Sequence, residues 1–217
     1  MPIIEKYSNI NPKILDFILF SNIDTPSILD VGCWDGNLGK ALNYNKFKCY
    51  IDGIDIAKEM LFKAKKSGYR NIYHIDLNQV SISSIKKKYD LIILGDILEH
   101  LVDSNKFLKD VSSVLSKNGY LIVSLPNVGF IKYRILHVLG KWNYTETGIM
   151  DKTHLRFFTL GSMKEMFFRY GFNVIGQKSL CAVPFAFWYF KILGKIWPSL
   201  FSLQIIFKLK RVNKYET

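Results

Sequence analysis

Short apolar runs alternate with segments of helical spacing along the first 125 residues of this chain. After Asn11 and Pro12, the residues Ile14, Leu15, Ile18 and Leu19 recur at helical spacing. Asn11 is placed to cap that helix, and Pro12 falls in its first turn, where a missing N–H costs nothing. Ser27 to Val31 reads as a strand that runs into the loop Gly32-Cys33-Trp34-Asp35-Gly36, and Leu38 to Leu42 starts the next helix. Cys49 to Ile54 reads as a second strand, Lys58 to Ser67 as a helix stopped by Gly68, and Asn71 to Ile75 as a third strand. Asp90 to Leu94 is apolar after its first residue, the pattern of a parallel strand buried on both faces. Val102 to Leu115 predicts a helix closed by Asn118-Gly119, and Tyr120 to Leu125 a fifth strand. Strands alternating with helices in this way predict a parallel α/β sheet, whose ligand binds beyond the carboxyl ends of the strands.

After Pro126 the rhythm changes. A long connection leads to a helix at Leu160 to Tyr170, a strand at Phe172 to Lys178, an aromatic stretch at Phe185 to Trp197 and a last strand around Leu203 to Val212. Two late strands without a crossover helix of the earlier kind predict an antiparallel hairpin at one sheet edge. The aromatic stretch is then an insertion in that hairpin. No internal repeat and no low-complexity linker interrupts the chain.

Charge adds a direction to this picture. Up to Gly129 the chain carries 16 basic against 14 acidic residues, +2, and after it 14 against 4, +10, for +12 over 217 residues. A field of that sign attracts anions: nucleic acid, an acidic membrane surface, or a phosphate- or carboxylate-bearing substrate. Apolar residues at 49% and charged residues at 22% exclude wholesale disorder, collagen and a coiled coil. Cys33, Cys49 and Cys181 are odd in number and lack metal-type spacing, which fits a reducing cytoplasm. The start MPIIEKYSN does not read as a signal peptide, and no apolar run reaches the ~18 residues of a bilayer span.

The first strand-to-helix turn carries the most chemistry. Its backbone N–H groups point outward, and its glycines let a ligand approach closely. A dinucleotide fingerprint needs G-x-G-x-x-G, whereas the middle position here is Trp34, so a nicotinamide cofactor is disfavoured. Asp55 ends the second strand, where a carboxylate can accept both hydroxyls of a ribose. Asp76 ends the third strand and can accept from an exocyclic amine. Each of these acids alone reads as a turn or cap residue. Together with Asp30 they place acids at the ends of three successive strands.

The runs ILDVGCWDG, IDGID, IDL and YDLIILGDILEHLVD resemble the class I S-adenosylmethionine-dependent methyltransferases. The continuation SLPNVGFIKYRILHVLGKWNYTETGIMDKTHLRFFT is similar to the branch related to the W protein of methionine biosynthesis, many of whose members are associated with glycan or cell-envelope modification. The resemblance implies a Rossmann-like, seven-stranded, mostly parallel α/β sheet of order 3-2-1-4-5-7-6 with its last strand antiparallel. It implies S-adenosylmethionine as cofactor, with Gly32, Cys33, Trp34 and Gly36 beside its methionine part and Asp30 orienting its ammonium. Asp55 and Ile56 would hold the ribose, Asp76 and Leu77 the adenine, and Gly95, Asp96 and Ile97 would line the sulfonium side. Many relatives have glycine where Trp34 stands, so its indole must point away from the cofactor.

Methyl transfer from a sulfonium is an in-line displacement helped by holding acceptor and methyl at near-attack distance. A hydroxyl acceptor gains further from a base. His74 lies within the third strand and reads as structural, and His137, among Ile135, Leu136, Val138 and Leu139, as a helix-surface residue. His100 follows Glu99 and is a secondary catalytic candidate. His154, in Asp151-Lys152-Thr153-His154-Leu155-Arg156, is the first candidate base, with Asp151 orienting its ring and Arg156 binding an anionic acceptor. The other reading is that His154 and Arg156 fix the loop through backbone hydrogen bonds. No metal site is expected.

These readings converge on a methyltransferase domain spanning 1–217, with a cofactor core at 11–125 and an acceptor side at 126–217. The acceptor is expected to be a small molecule or glycan, anionic and methylated at oxygen. Gly95-Asp96-Ile97-Leu98 stands where amino-group methyltransferases carry an Asn/Asp-Pro-Pro-Tyr-like tetrad. The alternative is a non-catalytic S-adenosylmethionine-binding partner that regulates another enzyme. No nucleic-acid module is visible. In the insertion at 184–199, Phe187, Lys191 and Lys195 form one row, flanked by apolar rows through Trp188 and Phe185. That pattern reads as a lid or homodimer contact, with a peripheral membrane surface as the other reading of a cytoplasmic protein.

Overall fold

The computed structural model describes residues 10–181 and 188–212. Helix α1 (Pro12–Leu19) opens the fold, with the Asn11 side chain accepting from the Lys13 amide. There follow β1 (Ser27–Val31), α2 (Asn37–Tyr44), β2 (Tyr50–Asp55), α3 (Lys58–Lys66), β3 (Asn71–His74) and β4 (Tyr89–Gly95). Next come α4 (Ser104–Val111), β5 (Leu115–Pro126), α5 (Ile131–Val138), α6 (Leu160–Arg169) and β6 (Phe172–Leu180). Helices α7 (Trp188–Ile196) and α8 (Pro198–Phe201) then lead to β7 (Gln204–Arg211). The strands form one sheet in the order β3-β2-β1-β4-β5-β7-β6, as expected. Strands β1 to β5 run parallel, and β7 pairs antiparallel with both β5 and β6.

The alternation of side chains along the strands sorts the core into two layers. Ile28, Ile51, Leu91, Ile93, Ile122 and Ile206 pack with Ile14, Ile18, Leu38, Ala41, Leu61 and Ala64, which puts α1, α2 and α3 on one face. Leu29, Ile92, Leu94, Val123 and Phe207 pack on the other with Phe107 and Leu108 of α4 and Met163 and Phe167 of α6. This double cover is why β4 reads as an apolar run. It leaves the carboxyl ends of the parallel strands as the open rim.

Two parts of the sequence reading are corrected. Helix α4 spans only Ser104–Val111, capped by the Asp103 carboxylate on the Lys106 amide. Leu115 already pairs with Tyr89, so Asn118 and Gly119 lie inside β5 instead of closing a helix. A Cβ at Gly119 would stand 3.0 Å from the carbonyl oxygens of both Tyr89 and Asp90, so the glycine serves a close strand approach at the irregular register. The second correction is α5, which lies within the supposed long connection. Ile131, Ile135 and Val138 recur at helical spacing there, although no residue of the helix is buried. Residues 182–187, and with them Pro184, Phe185 and Phe187 of the aromatic insertion, lie outside the described residues. Farther along the insertion Ile192, Ile196 and Trp197 are exposed. No described helix is long and apolar enough to cross a membrane.

Candidate active site

The turn after β1 is wound tightly by its own backbone. The Gly32 and Cys33 amides both donate to Ile54 O, at 2.8 and 3.0 Å, and the Gly36 amide donates to Cys33 O at 2.9 Å. Three residues of the turn take left-handed φ values, Gly32 at 74°, Trp34 at 47° and Gly36 at 81°. Glycine accepts such values freely, and tryptophan does so under strain. That conformation gives a physical reason for glycine at position 34 in relatives. The Trp34 side chain is 57% exposed, so most of the indole is turned to solvent.

Asp55, at the end of β2, ties this turn to the next helix. Its Oδ2 accepts from the Trp34 amide at 2.8 Å and its Oδ1 from the Ala57 amide at 2.8 Å. Each carboxylate oxygen keeps acceptor capacity for a ribose hydroxyl. Asp76 is held in the same manner, accepting from the Asn78 amide at 2.9 Å and Gln79 Nε2 at 2.8 Å. Asn78, which the sequence reading did not single out, reaches across to accept from the Val102 amide at 2.9 Å.

Two cavities meet at Gly32. One, of about 180 Å³, is lined by Asp55, Ile56, Asp76, Leu77, Ile97 and His100 among others. The other, of about 270 Å³, is lined among others by Asn11, Asp30, Cys33, Trp34, Gly95 and Asp96. Ile97 closes over the glycine, and a Cβ there would stand 2.2 Å from Ile97 Cδ1. The set expected on the ribose and adenine is therefore gathered in the first cavity, and most of the set expected on the methionine part in the second.

Asp30 is the buried acid of the second cavity. Burial pushes its pKa up to about 7; the hydroxyl of Tyr69, which donates to Oδ2, opposes this and the Asp55 charge adds to it. A buried carboxylate in that state is poised for a cation such as an amino-acid ammonium. Burial, with the Asp30 and Asp55 charges, pushes the Cys33 thiol up as well, so it packs as an apolar group. Tyr69 was not foreseen; it is an isolated aromatic beside Gly68 in sequence.

Asp96 begins the sulfonium side at φ 54°, strained for a non-glycine residue. Ser124 Oγ donates to its Oδ1 at 2.9 Å, and Gln204 Nε2 lies 2.5 and 2.6 Å from its two oxygens. Asn11 Nδ2 in turn donates to Gln204 Oε1 at 2.5 Å. Burial raises the Asp96 pKa against the pull of Gln204 and Ser124. Gln204 carried no sequence signal beyond being a polar residue at the start of a strand.

The acceptor-side loop docks against the 3₁₀ turn Leu98–His100. The amides of Leu155 and Arg156 both donate to Glu99 O, at 2.8 and 3.1 Å. This brings His154 to His100 with ring centroids 4.8 Å apart, edge to face. The expected roles of two neighbours change here. Asp151 accepts from the amide and hydroxyl of Thr153, at 2.8 and 2.7 Å, while His154 Nδ1 faces Ile149 O at 3.0 Å. The ring is thus oriented by a backbone carbonyl, not by Asp151. Arg156 spends its guanidinium on the carbonyls of Leu101 and Val102 and so fixes the loop. His137 stacks on Trp142 at 4.2 Å, which makes it a packing residue of α5.

The strand order, with its antiparallel seventh strand, is that of the class I S-adenosylmethionine-dependent methyltransferases. The chain belongs to the family described as a methyltransferase domain, whose model matches residues 4–177. It is 32% identical over 102 residues to a ubiquinone biosynthesis O-methyltransferase of Pelagibacter ubique, a match covering 46% of this chain and 42% of that protein. A protein of the same description from Hydrogenovibrio crunogenus is 24% identical over 159 residues, covering 67% and 65%. The chain therefore covers less than two thirds of either relative. Among solved structures, an S-adenosylmethionine-dependent methyltransferase from Mesorhizobium loti superposes with a TM-score of 0.63 at 16% identity, covering 92% of this chain and 96% of that one. Magnesium protoporphyrin IX methyltransferase from Synechocystis with bound S-adenosylhomocysteine gives 0.63 at 16% identity, covering 95% and 83%. The two-lobed cavity and the buried Asp30 fit the family's cofactor.

Proposed function

We propose that this protein transfers the methyl group of S-adenosylmethionine to an oxygen of an anionic small-molecule or glycan-type acceptor. The observation that carries this reading is the pair His100 and His154 at the rim, where His100 lines the cavity of Asp55 and Asp76 and both rings are near enough for their charges to act on Asp96. Nδ1 of each ring lies against a backbone carbonyl, Thr153 O at 3.2 Å and Ile149 O at 3.0 Å. Donation there fixes the tautomer and leaves Nε2 of each with a free lone pair. The acceptor oxygen attacks the methyl carbon, the C–S bond breaks, and S-adenosylhomocysteine leaves uncharged. The hydroxyl proton leaves through the imidazole cluster. The O-methyltransferase names of the relatives and the +10 carried by residues 130–217 support the oxygen and the anion. Methyl transfer is tested with labelled S-adenosylmethionine against sugar phosphates, uronic-acid glycans and hydroxylated aromatic acids. Salt should raise the acceptor KM and leave cofactor affinity unchanged. His154→Gln should lower turnover alone; loss of turnover and cofactor affinity together would overturn the acceptor-side role.

A further inference from the structure

The carboxyl group of Glu99 is the unexplained group of the site. The residue is 0% exposed, and neither carboxyl oxygen has a hydrogen-bond partner among the described residues. A buried acid left in this way destabilises the fold unless something pairs with it. What the carboxyl group does have nearby is His100 and His154: one ligand atom from each of the three residues lies within 4.8 Å of the others.

The geometry points to a binding site for a divalent transition-metal cation formed by Glu99, His100 and His154. Two imidazoles and one carboxylate are a donor set suited to Zn²⁺, Fe²⁺ or Co²⁺ rather than to Mg²⁺ or Ca²⁺, which favour oxygen alone. The backbone carbonyls on both Nδ1 atoms are the outer-shell partners such ligands use, since they fix the ring planes and leave Nε2 to the metal. Metal–ligand bonds of about 2.1 Å set ligand atoms roughly 3.0–3.5 Å apart. The three groups must therefore draw together by about an ångström on binding. Glu99 and His100 are adjacent on one turn, and His154 is docked onto the same turn by the two hydrogen bonds to Glu99 O, so the site is held from a short span of backbone. No metal-type spacing marks this set, because the third ligand arrives 54 positions after the second.

Resting on the oxygen-acceptor reading, a cation here would replace the imidazoles as the group that acts on the acceptor hydroxyl, lowering its pKa so that the proton passes to solvent instead of to a ring nitrogen. Binding itself is independent of that reading. Tag-free protein, stripped with chelator, is titrated with Co²⁺ alone and followed by its visible absorption, with S-adenosylmethionine binding measured separately by calorimetry. One Co²⁺ per chain is expected, with His154→Ala and Glu99→Gln each weakening it by roughly 10–100-fold or more. Glu99→Gln keeps the shape of the buried side chain, so its fold and cofactor binding should persist. Absence of stoichiometric Co²⁺ binding, or unchanged affinity in both variants, overturns the site. Co²⁺ binding without acceptor methylation leaves the site standing and counts against the oxygen-acceptor reading.

Discussion

Replacing Asp30 with Asn tests whether the cofactor cavity is built around an acid awaiting a cation. The carboxyl pKa rises from 3.8 to about 7 in the folded protein, roughly three units, which corresponds to about 4 kcal/mol disfavouring the charged form. A folded pKa above the unfolded one means that the native state holds the proton more tightly. Stability is then greatest below the unfolded pKa, declines as pH rises toward about 7, and levels off beyond it. Between pH 5 and 7 the ligand-free protein should lose about 2 kcal/mol relative to Asp30→Asn, which can still accept the Tyr69 hydrogen bond. Urea unfolding across that pH range, read as the difference between the two proteins, measures this directly. A bound ammonium beside Asp30 favours its ionised form. At about pH 6 S-adenosylmethionine should therefore expel a proton from the wild type, seen as a binding enthalpy that depends on the buffer's ionisation heat. Asp30→Asn should bind the cofactor more weakly and expel no proton. A stability difference that is flat with pH, or a wild-type enthalpy independent of buffer, would refute the reasoning.

Two further substitutions probe the strained positions. Gln204→Leu leaves the buried Asp96 with Ser124 alone and Asn11 without its partner, and should cost about 1–3 kcal/mol in denaturant unfolding. Turnover should fall with it, and S-adenosylmethionine affinity as well, because Gln204 holds both Asp96 and Asn11, which line the cavity; a wild-type kcat would refute the link. Trp34→Gly releases a left-handed φ that costs an L residue roughly 1–2 kcal/mol, against the 0.5–1 kcal/mol of added chain entropy. Thermal melts should show equal or slightly higher stability, and a drop of several degrees would mean that the exposed indole contributes packing after all.

The parts of the fold that were legible in the sequence are those where burial leaves a pattern. Strands β1, β2 and β4 are covered on both faces, so their apolar runs announced them, and acids at strand ends stood out against those runs. In α5 the apolar residues recur at helical spacing without being buried, so the spacing alone does not set the segment apart from a connection. Where two patterns overlap, it misleads: Val111, Val114 and Leu115 are all buried, yet the chain changes from helix to strand between the first and the last of them. At the site, Asp30, Asp55 and Asp76 could be placed because each stands at or near a strand end next to a turn, and Asp55 and Asp76 hold that turn. Gln204, Tyr69 and the Glu99–His154 pairing could not, since they depend on contacts between distant segments. Arg156 shows the converse limit, because a charge near a rim is read as a ligand until its donors are found bound to carbonyls.

The position of β7 between β5 and β6 has a consequence for how the protein is made. The strand that closes the sheet is the last one synthesised among the described residues, and it brings Gln204 to Asp96 from 108 positions away. During elongation β5 and β6 cannot pair with each other in their final places, and both keep an open edge until residues 204–211 emerge. The parallel part of the sheet can assemble earlier on the ribosome, with the buried Asp96 still unclamped. A nascent chain halted before this strand therefore exposes two unpaired edges, the kind of surface that chaperones cover and that drives aggregation. Completion of the fold and completion of the site are thus the same late event.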